Sequence, residues 1–203
     1  MTKKISAILL ATCFATLAGA AVAKEPKHIP DYFPLRVGDW WKYRSAYSGK
    51  TSEFTITVVK KDGDLIEVDT TSTNLIQDWY KKTGDMVEVH KEAFPKNNMT
   101  VDFKPVKKWL KNPMAVGDKW EWSGTGMMNT AMSSHDECKA SVQVAVPAGK
   151  FSAMEVDSKV NQGGVDVAKT YFYADGIGLV KSMTDSGGVK STTELIDYSF
   201  KKK

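Results

Sequence analysis

The sequence predicts an all-β fold: an antiparallel, strongly curved sheet or incomplete barrel of about ten strands, built from two similar halves. Three observations carry this reading. One ten-residue pattern occurs twice. Period-two alternation of apolar and polar residues dominates the sequence after each copy. Helical periodicity is nearly absent.

The pattern first runs Pro34-Leu35-Arg36-Val37-Gly38-Asp39-Trp40-Trp41-Lys42-Tyr43. It returns 79 residues later as Pro113-Met114-Ala115-Val116-Gly117-Asp118-Lys119-Trp120-Glu121-Trp122. Both read P-x-x-V-G-D-x-W-x-aromatic. Two copies are too few for a solenoid and fit a duplicated half-domain, with half-repeats about 33–103 and 112–200. Proline ends an extended approach. Gly-Asp turns the chain, glycine supplying the positive φ that such a turn needs. Aromatics two residues apart then share one face of the strand that follows. Trp41 pairs in this way with Tyr43, and Trp120 with Trp122. A Trp buries roughly 200 Å², at most about 5 kcal/mol at ~25 cal/mol/Å². These four rings are expected to anchor the two halves, and they double as candidate ligand contacts.

Hairpin signals follow each copy. Phe54, Ile56 and Val58 alternate with polar neighbours, Lys61-Asp62-Gly63-Asp64 turns, and Ile66, Val68 and Thr70 return on one face. Thr83-Gly84-Asp85 separates two further strands. In the second half Val142, Val144 and Val146 precede the turn Pro147-Ala148-Gly149, and Gly163-Gly164 marks another break. Tyr171 and Tyr173 lead into Asp175-Gly176. One segment departs from the pattern. Lys104, Lys107, Lys108 and Lys111 fall at i, i+3, i+4, i+7, with Val106, Trp109 and Leu110 opposite. This spacing predicts a short amphipathic helical turn near 104–111 that joins the halves. Its lysines form a candidate docking patch for an anionic lipid or an acidic partner.

The first residues indicate export. Lys3 and Lys4 precede an uncharged stretch from Ile5 to Ala23, which ends in small residues with Ala21 and Ala23 at A-x-A spacing. That is the plan of a secretory signal peptide over 1–23, leaving a single β domain over 24–203 in the periplasm or outside the cell. Leu10-Ala11-Thr12-Cys13 is a poor lipobox, because threonine is unusual beside the cysteine. No second apolar stretch is long enough to span a bilayer as a helix. Cleavage removes two lysines and no acid, so the formal charge falls from +4 to +2. The near balance gives no nucleic-acid signature. Cys13 leaves with the signal and Cys138 stands alone, so no internal disulfide forms. The fold must rest on its hydrophobic core.

No catalytic, cofactor or metal signature emerges. Ser48-Gly49-Lys50-Thr51 lacks the first glycine of a phosphate-binding loop. His28, His90 and His135 fall in no paired-ligand spacing, and no serine or cysteine sits in a nucleophile elbow. The expectation is therefore a protein that is not an enzyme. The densest cluster is Gly126 to Cys138, where Met, His and Cys are soft ligand types. Met128 and Met132 share strand parity with Trp120 and Trp122, however, which favours a continuous apolar stripe or a pocket wall. This parity requires an unbroken strand register from Glu121 to Ser133. Candidate ligand contacts are thus Trp120, Trp122, Met128, Met132, Trp41 and Tyr43.

The sequence resembles a group of uncharacterised bacterial envelope proteins called TapB-like. The resemblance lies in Phe33-Pro34-Leu35 and Gly38 before Trp41-x-Tyr43, then Val146-Pro147-Ala148-Gly149-x-Phe151. It continues through Tyr173-Ala174-x-Gly176-Ile177-Gly178-Leu179-Val180-Lys181 and Leu195-x-x-Tyr198. It implies a fold similar to the open β half-barrels of the lipoprotein carriers LolA and LolB, which hold acyl chains on a concave face. The long lid helices of such carriers have no counterpart here. Together the readings point to non-catalytic binding of a hydrophobic or amphipathic ligand such as a lipid. The rival is a structural or assembly protein that engages an envelope protein partner through sheet edges.

The export reading is checked by N-terminal sequencing of the secreted or periplasmic protein. Lys24 is the expected first residue, and a start at Met1 or at a lipidated Cys13 would overturn it.

Overall fold

The computed structural model describes residues 28–200. The proposed signal peptide lies outside the described residues. Among those residues twelve strands follow one another: β1 (Trp40–Tyr47), β2 (Lys50–Asp62), β3 (Leu65–Thr71), β4 (Leu75–Thr83), β5 (Met86–Phe94), β6 (Met99–Lys111), β7 (Lys119–Thr125), β8 (Ala131–Val146), β9 (Gly149–Gln162), β10 (Val165–Ala174), β11 (Gly178–Ser186) and β12 (Val189–Ser199). Single turns of 3₁₀ helix at Pro95–Asn97 and Met127–Asn129 are the only helical pieces described. Each strand pairs antiparallel with the next, and β12 pairs back onto β1, from Trp40 opposite Ser199 to Tyr47 opposite Ser191. The all-β, antiparallel, strongly curved prediction holds. The sheet goes further than an incomplete barrel, for it closes.

The two motif turns are built alike. Gly38 and Gly117 have φ of 93° and 92°. Their N–H groups donate to Val58 at 2.7 Å and to Cys138 at 2.8 Å. Val58 N–H donates back to Asp39 O, and Cys138 N–H to Asp118 O, at 3.0 and 2.9 Å. Val58 and Cys138 are fully buried, and each sits at a β-bulge on the partner strand. Such bulges bend a strand and raise its twist, which closure demands. The turns thus launch β1 and β7 inward, and Trp41, Tyr43, Trp120 and Trp122 are all buried inside the barrel. Trp41 Nε1–H donates to Ile177 O at 2.6 Å, and the Tyr43 hydroxyl to Leu179 O at 2.8 Å. Trp120 and Trp122 donate to the carbonyls of Trp109 and Pro105, at 3.3 and 3.1 Å.

The predicted helical turn near 104–111 is a strand instead. Residues 104–111 form the second half of β6, laddered against β5 with bulges at Val87/Glu88 and Val89/Lys91. Pairing along β5 satisfies the backbone of the whole segment, which overrides a local helical period. The bulges shift the face presented to the barrel, so lysines that are neighbours on a helix separate.

Ion pairs stud the outer face. Lys42 and Arg44 pair with Glu53 across β1 and β2, and Lys181 with Glu194 across β11 and β12. Exposed large apolar residues such as Val59, Val165, Met183 and Val189 are scattered around the barrel. An outer face of this kind is the reverse of a lipid-facing barrel with an apolar outer band.

One end of the barrel is covered by the segment from His28 to Asp39. Tyr32 is buried there, and Phe33, Pro34 and Leu35 lie against the interior. Asp31 holds this strap. Its carboxylate accepts from Lys82 Nζ at 2.8 and 2.9 Å and from Asn112 Nδ2 at 2.8 Å. Its N–H donates to Asp175 and its carbonyl accepts from Gly176 N–H, both at 2.8 Å. The strap therefore bridges β4, the β6–β7 loop and the β10–β11 loop.

Two outcomes follow. Trp41→Ala and Trp120→Ala should each cost about 3–5 kcal/mol in denaturant unfolding, as large buried aromatics do; losses below about 1 kcal/mol at both would place the rings outside the core. Asp31 gives a pH signature. Burial pushes its carboxyl up, but the hydrogen bonds from Lys82 and Asn112, with the Lys82 charge, outweigh burial and hold it below its ordinary value. The stabilisation is then fully present above the unfolded carboxylate pKa of about 3.9 and is lost as pH falls through the lower folded value. Asp31→Asn should lower Tm at pH 7, with the gap to the parent closing toward pH 3. A gap independent of pH would show that the charge is immaterial.

Candidate functional site

Two cavities lie inside the barrel, separated by Trp109 and Tyr173, which form part of both walls. The smaller, of about 120 Å³, lies beneath the strap and is almost wholly apolar. Trp41 and Tyr43 line it, together with Phe33, Leu35, Ile56 and Val68. Its one ionisable carboxyl is Asp78, pushed up to about 7 by burial and by neighbouring Glu92. The larger, of about 260 Å³, reaches toward the opposite end. Phe94, Met127, Met132 and Gln162, near the turns at that end, form its rim, and Trp120, Trp122 and Phe103 wall one side.

Beside this aromatic face the wall turns polar, with Asp136 directly across from Trp120 and Ser134 from Trp122. Asp136 on β8, Ser158 on β9 and Lys169 on β10 are direct cross-strand partners and form a row across three strands. Such partners stand about 4.5–5.5 Å apart with their side chains on one face. Ser134 Oγ donates to Asp136 Oδ2 at 2.9 Å, and Ser158 also bonds that carboxylate. Burial nevertheless dominates and holds the Asp136 carboxyl above its ordinary value. Burial does the same to Glu92 on β5, which faces the cavity.

Lys107 enters this cavity from β6. Its ammonium lies 5.0 Å from the Trp109 ring centroid, 5.2 Å from Phe103 and 5.8 Å from Trp122, within cation–π range of all three. Burial, and then the like charge of Lys169, push it below its ordinary pKa. Burial lowers Lys169 also. Two interior ammoniums thus repel each other inside an aromatic wall. The Trp109 indole N–H is buried with no acceptor among the described residues, an arrangement that costs about 1–3 kcal/mol where nothing compensates it.

The structure divides the residues singled out from the sequence. Trp120, Trp122 and Met132 meet in the larger cavity, whereas Trp41 and Tyr43 belong to the smaller one. Met128 does not join them. The register from Glu121 to Ser133 is broken after Thr125 by the 3₁₀ turn, where Met128 takes a left-handed φ of 54° and is 87% exposed. Met127 takes its place in the wall. The four lysines of the expected docking patch separate. Lys104 stays exposed, Lys107 points inward, Lys108 pairs opposite Glu88 at the cavity edge, and Lys111 bonds Asp118 at 3.0 Å. The soft-ligand cluster does not converge either: His135 lies outside beside Glu121 at 3.2 Å, while Cys138 is fully buried with its thiol pushed up to about 11 by burial.

Glu92, Ser134, Asp136, Ser158 and Lys169 were not singled out from the sequence. A signal existed for part of this set. Ser134 and Asp136 continue the parity of Met132 along β8, so the stripe followed for its methionines runs directly into them.

No family model matches the chain, and no curated protein matches it. The TapB-like resemblance therefore rests on its short motifs. Among solved structures, a Bacteroides fragilis protein assigned as exported, with a YmcC-like fold, matches with a TM-score of 0.55 at 16% identity. The match covers 84% of this chain and 100% of that one. A Parabacteroides distasonis protein assigned as a lipoprotein matches with a TM-score of 0.51 at 15% identity, covering 85% of this chain and 100% of its own. At these identities the likeness is one of fold.

Proposed function

We propose that this chain is a non-catalytic binding protein of the cell envelope, periplasmic or secreted, that takes a hydrophobic or amphipathic ligand into the larger barrel cavity. The observation that carries the reading is the cavity of about 260 Å³ whose wall runs from a Trp/Phe/Met face into an adjoining polar row. Ligand sites are mostly apolar with a few convergent polar groups, and this interior has that composition. Its volume sits just below the usual range of about 300–1,000 Å³. A compact amphipath or a short acyl chain fits better than a whole membrane lipid. The envelope location is supported by the signal-like N-terminus and by the export and lipoprotein assignments of the two structural neighbours.

The rival reading, assembly through sheet edges, loses its main support in a sheet that closes on itself.

Titration with the neutral fluorophore N-phenyl-1-naphthylamine tests the proposal. Trp109, Trp120 and Trp122 lie in the wall, so binding should quench tryptophan emission while probe emission rises. Joint replacement Trp122→Ala with Met132→Ala should weaken binding about tenfold or more, equivalent to roughly 1.4 kcal/mol of lost contact. Met128→Ala, outside the cavity, should change nothing. Equal binding by the parent and the double variant would remove the cavity from consideration.

A further inference from the structure

We infer that the ligand of the larger cavity carries an anionic head group, received by Lys107 and Lys169, with its apolar body against Trp120, Trp122, Met127 and Met132. This rests on the ligand-binding reading above and names the chemical class within it.

Lys107 and Lys169 come from β6 and β10, four strands apart in the barrel, and converge on one cavity. Neither has a carboxylate within ion-pair distance of 4.0 Å among the described residues. The nearest acid in the row, Asp136, is already bonded by the hydroxyls of Ser134 and Ser158. The Lys107 ammonium lies instead over the faces of three aromatic rings. The cavity lining holds Lys107 and Lys169 with Glu92 and Asp136, and Lys108 stands at its edge opposite Glu88.

Donors therefore outnumber free acceptors on this wall. A cationic ligand would add a third positive charge to two that already repel. A neutral ligand would leave both ammoniums desolvated with no carboxylate in contact, since Glu92, Asp136 and Asp78 act on them only from beyond ion-pair distance, an unfavourable state in a low-dielectric interior. A carboxylate, sulfonate or phosphate head meets both lysines. Charge-assisted hydrogen bonds to such a group are the strong ones. The apolar remainder then faces the ring and thioether wall.

Two naphthylamine probes that differ only by a sulfonate provide the test: neutral N-phenyl-1-naphthylamine and anionic 8-anilinonaphthalene-1-sulfonate. The anionic probe should bind the parent about tenfold tighter or more. Lys107→Met and Lys169→Met should each remove most of that advantage while leaving the neutral probe's affinity within about twofold. Lys169→Arg, which keeps the charge, should retain it. Replacing a buried ion by an apolar chain of similar volume is commonly tolerated. Should a Met variant fail to fold, Lys107→Gln and Lys169→Gln carry the same comparison. Octanoate should displace the anionic probe, and inorganic phosphate alone should not. Equal affinity for the two probes, or lysine variants that keep the full advantage, would overturn the anionic head group and leave the ligand-binding reading standing. Displacement by phosphate alone would overturn the amphipath in favour of a bare-anion site. Failure of both probes to bind would instead remove the ligand-binding reading itself.

Discussion

The width of the barrel is the constraint from which the rest of the structure follows. An eight-stranded barrel is just filled by its own inward side chains, and diameter grows with strand number. Twelve strands enclose more space than small aliphatic residues can occupy. The interior is accordingly built from the largest side chains: Trp41, Trp120 and Trp122, with Tyr43, Phe103 and Tyr173. Even these leave two cavities. At one end the shortfall is made up by folding a further stretch of chain, the strap held by Asp31, over the opening. At the other end no such segment enters among the described residues, and the larger cavity reaches the rim there.

Closure is uneven around the barrel. β12 meets β1 through a full ladder, but β6 and β7 share a single pair, Lys104 with Thr125. Pro105 contributes no N–H at this seam. The carbonyls of Pro105 and Trp109 are instead met by the indole N–H groups of Trp122 and Trp120. Gly124 lets β7 come this close: a Cβ there would stand 2.6 Å from Lys104 O. The two tryptophans of the second motif thus fill the interior, bridge the seam and wall the larger cavity at once. Backbone bonds are fewest where the cavity wall is most aromatic, and strand pairs with few ladder bonds open at the lowest free energy.

Features set by local alternation and turn chemistry were legible in the sequence. The Gly-Asp turns, the same-face aromatic pairs and the hairpins around Gly63, Gly84 and Gly163 all appear as read. Closure was not legible, because it depends on β1 meeting β12 from opposite ends of the described chain. The 104–111 segment was misread because lysines at helical spacing look solvated, whereas pairing with a bulged neighbour turned Lys107 inward. Met128 leaves the stripe because a left-handed residue inside a 3₁₀ turn breaks the register on which the parity reading depended. The polar row was overlooked for a general reason. Serine, aspartate and lysine in an alternating strand are read as its outer face, and only the barrel places Asp136, Ser158 and Lys169 on the inner one.

The interior therefore has two storeys of different character, with Trp109 and Tyr173 as the floor between them. Beneath the strap the packing is apolar, and the first motif's Trp41 and Tyr43 bond to backbone carbonyls, so few polar groups there lack partners. Beyond the floor lie the interior lysines, Glu92 and Asp136, groups that burial drives toward their neutral forms. A fold selected only for stability gains nothing from them, since apolar side chains of similar volume would fill the same space at lower desolvation cost. Their placement away from the strap and from the β12–β1 ladder leaves closure to the apolar storey. The charged storey can then keep the mixed wall that recognition of a polar head and an apolar body requires.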